Sequence, residues 1–86
     1  MDLKILNETK DEISVEFDNV TIPELLRVYL NKDSAVNFAA WRREHPTKNP
    51  ILVVRTSGKA PKKAIAEAIK EIEKELAVFE KDVKNI

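Results

Sequence analysis

The sequence predicts an α+β domain in the order ββαββα: a two-layer fold with a four-stranded, mostly antiparallel sheet covered by helices, the last of them long. Three observations carry this. Ile13, Val15 and Phe17 alternate with Ser14, Glu16 and Asp18, the period of two that marks a half-buried strand. Ile22, Leu25, Leu26, Tyr29 and Leu30 recur at i, i+3, i+4, i+7 and i+8, a broad apolar helix face. Ile65, Ile69, Ile72, Leu76, Phe79, Val83 and Ile86 are separated alternately by four and three residues, a heptad seam.

The elements follow in order. Leu3 and Ile5 flank Lys4, and Asn7 to Asp11 reads as a turn, so the first two strands form a hairpin. Thr21 can cap a helix that has Pro23 in its first turn and Glu24 at the third position of a capping box. Asn31 to Ser34 ends that helix. Val36 to Arg43 reads as a third strand, with Val36, Phe38 and Ala40 on one face and Asn37, Ala39 and Trp41 on the other. With the helices on one face of the sheet, Trp41 is expected to point away from them, either joining Ala39 and one of Leu52 and Val54 in a second apolar patch or half-buried by Arg42 and Arg43. A loop from Glu44 to Pro50 precedes the nearly continuous apolar run from Ile51 to Arg55, as a central strand requires. Thr56 to Lys59 is a turn, and Pro61 opens a helix reaching towards Asn85.

The 86 residues make a single domain, spanning 1–86. A chain this short buries only roughly 60–65% of the surface its unfolded form exposes, so apolar surface beyond the needs of the core points to a partner. Fifteen basic residues balance fifteen acidic ones. Phosphate-backbone binders usually carry an excess of Lys and Arg, so strong nucleic-acid binding is not expected. There is no cysteine, hence no disulfide framework and no thiolate metal site. Met1-Asp2-Leu3-Lys4 lacks a signal-peptide pattern and no apolar run approaches a membrane span, so the expected location is the cytoplasm.

No chemistry is legible. His45 is the only histidine and precedes Pro46 in a loop. Ser14, Ser34 and Ser57 stand in no local motif for a nucleophile, and a single glycine cannot build a phosphate loop. No catalytic, cofactor or metal residue is assigned. Lys59, Lys62 and Lys63 cluster where cations oppose the helix dipole, as ordinary surface lysines or as a contact for an acidic patch. The seam is the feature that carries function. Residues 61–84 would span about 36 Å, whereas strands of five to seven residues reach roughly 17–24 Å. Ile65 and Ile69 are expected over the sheet, in the core. Either the whole helix packs on its own domain, or the end around Leu76, Phe79 and Val83 overhangs and pairs with a partner; the difference in length favours the second. Lys63/Glu67, Glu71/Lys74 and Glu80/Lys84 form a solvated face.

Thr21-Ile22-Pro23-Glu24-Leu25-Leu26-Arg27, Val36-Asn37-Phe38-Ala39-Ala40-Trp41, His45-Pro46 and Arg55-Thr56-Ser57-Gly58-Lys59 stand in this order. Together they resemble the HTLxNLLR, VxFAxY, HP and RTxGK stretches of the archaeal RNA polymerase subunit L family, counterpart of the small alpha-like subunit of eukaryotic polymerases. The resemblance covers essentially the whole chain. It departs at Asn19-Val20, where Asp-His is usual, at Pro23-Glu24, where a small residue and Asn are common, and in the short loop after His45.

The resemblance implies an alpha-like dimerisation domain without an active site of its own. Such a subunit pairs through its two helices with the larger alpha-like subunit, known as D, and the heterodimer is the platform on which the large catalytic subunits assemble. The interface would then include Ile22, Leu25, Leu26, Tyr29, Ile72, Leu76, Phe79 and Val83. Arg27, matching the arginine of the NLLR stretch, would lie near a large subunit. Two other readings are a stand-alone homodimeric regulatory protein and a small nucleic-acid-binding module using Trp41 and the lysine cluster.

Overall fold

In the computed structural model, which describes residues 3–85, the strands and helices follow the expected order. They are β1 (Leu3–Glu8), β2 (Glu12–Phe17), α1 (Thr21–Leu30), β3 (Val36–Arg42), β4 (Ile51–Thr56) and α2 (Pro61–Lys84). Met1, Asp2 and the last expected seam residue, Ile86, lie outside the described residues. The sheet runs β1-β2-β4-β3 and every neighbouring pair is antiparallel, so it is antiparallel throughout rather than mostly. The apolar run of β4 sits at the centre, as its composition required.

The register explains which residues form the core. Val15 faces Ile5 on one side and Leu52 on the other, and Leu52 faces Trp41. Two residues along, Ile13 faces Val54, which faces Ala39. These rows share one face of the sheet because cross-strand partners point the same way. Both helices cover that face, and Leu26, Leu30, Ala64 and Ala68 close the core over Ile13, Val15, Phe17, Leu52 and Val54. Ser14, Glu16, Val53 and Arg55 lie on the opposite face, where Arg55 pairs with Glu12 at 2.6 Å and stacks over Phe38.

Several local expectations change. β1 continues through Glu8 instead of turning at Asn7, because a bulge between Ile5 and Asn7 lets it keep pairing with β2. A second bulge, between Val36 and Phe38, puts Val36 opposite buried Thr56 and on the same side as Ala39 and Trp41. Strict alternation, which groups Val36 with Phe38, fails there. Trp41 faces the helices rather than away from them: its indole N–H donates to the Glu24 carboxylate of α1 at 2.6 Å. Thr21 does not cap α1. The Asn19 side-chain oxygen accepts the Ile22 N–H at 2.9 Å, so Asn19 ties down the start of the helix although Asp-His is absent there.

The lead into α2 is equally specific. Gly58 takes a φ of 79°, a left-handed conformation that favours glycine. The Thr56 hydroxyl donates to the Lys59 carbonyl, and Pro61 follows at the start of the helix. The Lys59 ammonium reaches Asp33 at 2.7 Å and Glu67 at 2.6 Å. These partners hold the Lys59 pKa above its usual value, and the Lys59 bond holds the Asp33 carboxyl below its own. Lys59 is therefore occupied within the domain, joining α2 to the end of α1, and is not a free contact for an acidic patch.

Candidate partner-docking face

At about 1.5 Å per residue the 24 residues of α2 run some 36 Å. The six-residue strands β2 and β4 beneath it extend only roughly 20 Å. Only Pro61, Ala64 and Ala68 of α2 are buried. Small side chains at these positions bring the helix backbone close to β2 and β4. Of the two isoleucines expected in the core, Ile65 is half-buried and packs against it, whereas Ile69 remains 37% exposed, and the fully buried side chains of the helix are smaller. At 3.6 residues per turn the seam is rotated by about 65° from the Pro61–Ala64–Ala68 line. The large residues consequently lie beside the contact with the sheet, not in it.

The space they flank is a groove of about 290 Å³. Ile65, Ile69 and Ile72 form one wall, Leu3 and Ile5 of β1 the other, and Ile22 contributes from α1. It exists because α2 packs on β2 and β4 while the helix-side face of β1 stays open. Beyond it the seam continues on the free end of α2, where Leu76, Phe79 and Val83 are 55%, 63% and 49% exposed. Groove and helix end form one apolar surface on the same side of the domain.

The residues expected at an interface divide accordingly. Leu76, Phe79 and Val83 are exposed, Leu25 is half-exposed, and Ile22 and Ile72 are partly buried at the groove. Leu26 is 1% exposed and belongs to the domain's own core. Tyr29 sits on the far side of α2, where its hydroxyl donates to Glu75 and Lys32 rests 4.7 Å from its ring centre. The bond to Glu75 pushes the Tyr29 phenol above its usual pKa. Arg27 pairs with Glu24 at 2.5 Å. With Arg27 first and Trp41 second as causes, the Glu24 carboxyl is lowered to about 2. Leu3 and Ile5 are legible in the sequence only as strand residues. Their place in the groove depends on the register opposite Val15 and Phe17, which no local signal supplies.

Little here resembles a reaction centre. His45 bonds Thr47 at 2.9 Å within its exposed loop. Lys62 lies 3.9 Å from Glu8. Among the described residues no cluster of His, Asp or Glu could hold a metal ion, and no helix is long and apolar enough to cross a membrane.

An antiparallel sheet backed by two helices, one carrying an apolar stripe past its own core, defines an association module rather than a site for chemistry. The chain belongs to the RNA polymerase Rpb3/Rpb11 dimerisation domain family, whose profile matches residues 10–82. It is 32% identical to the DNA-directed RNA polymerase subunit Rpo11 of Sulfurisphaera tokodaii, over 100% of this chain and 97% of that one. It is 34% identical to the Rpo11 subunit of Saccharolobus islandicus, over 84% and 83% of the two chains. Among solved structures, subunit L of DNA-directed RNA polymerase from Thermoplasma acidophilum superposes with a TM-score of 0.86 at 25% identity, covering 98% of this chain and 86% of that one.

Proposed function

We propose that this protein is a non-catalytic assembly subunit of a DNA-directed RNA polymerase, pairing one-to-one with the larger alpha-like subunit to form the platform for the large catalytic subunits. The observation that carries the reading is the continuous apolar surface of the β1–α2 groove and the free end of α2, in a chain of the Rpb3/Rpb11 dimerisation domain family. Its relatives are themselves named as polymerase subunits. Ile22, Leu25, Ile72, Leu76, Phe79 and Val83 would meet the partner. Leu26 would support them from the core, and Tyr29 would hold α1 against α2. Arg27, 40% exposed beside Glu24, remains the position proposed to approach a large subunit. The cytoplasm, where such a polymerase works, is the proposed location.

Co-expression with the larger alpha-like subunit tests the reading. A stable 1:1 complex is expected, and Phe79→Asp should abolish it by setting a carboxylate in an apolar interface. A wild-type chain that sediments as an indifferent monomer in the presence of that subunit would refute it.

A further inference from the structure

The heptad seam has two flanks, and their chemistry is uniform where the helix leaves its own domain. With Ile72, Leu76, Phe79 and Val83 as the seam positions, the flanking heptad positions on one side are Glu73 and Glu80, and on the other Glu75 and Asp82. All four are acidic and exposed; among the described residues none forms an ion pair, and Glu75 in addition accepts the Tyr29 hydroxyl. The lysines of this stretch, Lys70, Lys74, Lys81 and Lys84, fall on the back of the helix, away from the seam. Such segregation is not required for solubility, which interspersed charges serve as well.

We propose that this acidic rim selects the partner: it admits an apolar helical surface bordered by Lys or Arg and excludes a second copy of this chain. The reason is geometric. In a parallel pairing of two copies, each flank of one helix meets the opposite flank of the other. In an antiparallel pairing each meets its own kind. Because both flanks are acidic, carboxylates oppose carboxylates in either orientation. Like charges across an interface disfavour the wrong pair, while a basic rim converts the same positions into attractive pairs and speeds encounter. The apolar seam supplies the adhesion and the rim supplies the discrimination. The inference rests on the docking role proposed above and adds to it the partner's chemistry.

The chain itself can serve as the probe. In a Glu73→Lys, Glu80→Lys, Asp82→Lys variant, which spares Glu75 and its bond to Tyr29, both flanks gain basic residues and the seam is unchanged. At low salt, sedimentation equilibrium should find the wild type largely monomeric, and an equimolar mixture of wild type and variant should form a mixed dimer. The mixed dimer should be on the order of tenfold tighter than either self-pair, with the preference shrinking as added salt screens the rim. The single variant Glu80→Lys should shift in the same direction by less, which guards against a folding defect in the threefold change. Wild-type self-association as tight as the mixed pair would overturn the proposal. The larger alpha-like subunit separates this failure from that of the functional reading. If wild type binds it and the rim-reversed chain binds equally well, the rim proposal fails and the docking role stands. If wild type does not bind it at all, the proposed pairing fails, while preferential mixed pairing still supports the rim.

Discussion

Phe79 and Leu30 sit at opposite ends of the burial scale, 63% and 0% exposed, and should respond oppositely to substitution. Leu30→Ala removes a core side chain and should cost about 2–5 kcal/mol, lowering the melting midpoint by many degrees in a domain of this size. Phe79→Asp alters a residue already in water and should move the monomer's stability by no more than about 0.5 kcal/mol. Ile69→Asp, which the heptad alone would mark as lethal to the fold, should now behave more like Phe79→Asp, because Ile69 borders the groove. Thermal melting of the three variants checks all of this. Glu24 adds a pH dependence. Its folded pKa of about 2 lies below the ordinary 4.5, so its bonds to Arg27 and Trp41 contribute fully above about pH 4.5. That contribution is lost as pH falls towards 2. Glu24→Gln should therefore flatten the acid side of the stability–pH curve between these limits, while an unchanged acid limb would mean that the carboxylate bonds contribute nothing in solution.

At the scale of the element, α2 is two helices in one. Its first half lies on β2 and β4 through Pro61, Ala64 and Ala68; its second half rests on little beyond the Tyr29–Glu75 bond. Ending the chain after Glu75 should leave the sheet and core intact, with circular dichroism losing only the helical signal of the missing turns. The same truncation should eliminate association with the larger alpha-like subunit. A truncated chain that fails to fold would mean that the free end contributes to the domain after all. α1 behaves differently, being fixed at its start by Asn19 and along its length by Leu26 and Leu30, so Asn19→Ala should cost about 1 kcal/mol of stability.

For the whole molecule, the balance of charge and the open groove lead to different measurements. Fifteen positive against fifteen negative side chains should give weak duplex DNA binding with a shallow dependence on salt. A slope reporting six or more phosphate contacts would overturn a purely assembling role. The groove lined by Leu3, Ile5 and Ile69 should bind an environment-sensitive dye in the free chain, and a partner that covers it should displace the dye. Retention of the dye in a complex with the larger alpha-like subunit would place the contact elsewhere.

By itself the sequence determined the element order, the strand alternation of β2, the length of α2 and the apolar character of its free end. These are properties of local periodicity and chain reach, which neighbouring residues impose without knowing the fold. Tertiary structure alone decided which stripe of α2 meets the sheet. Ala64 and Ala68 win that contact because small side chains permit close approach, and the larger Ile65, Ile69 and Ile72 are thereby turned towards β1. It likewise decided that Trp41 faces Glu24, since one bulged residue at Asn37 shifts the alternation along β3, and that Asn19 rather than Thr21 holds the start of α1. The groove itself could not be read from any segment, because its walls come from Leu3 and Ile5 at one end of the chain and from α2 at the other. They face one another only once strand register and helix rotation have been set.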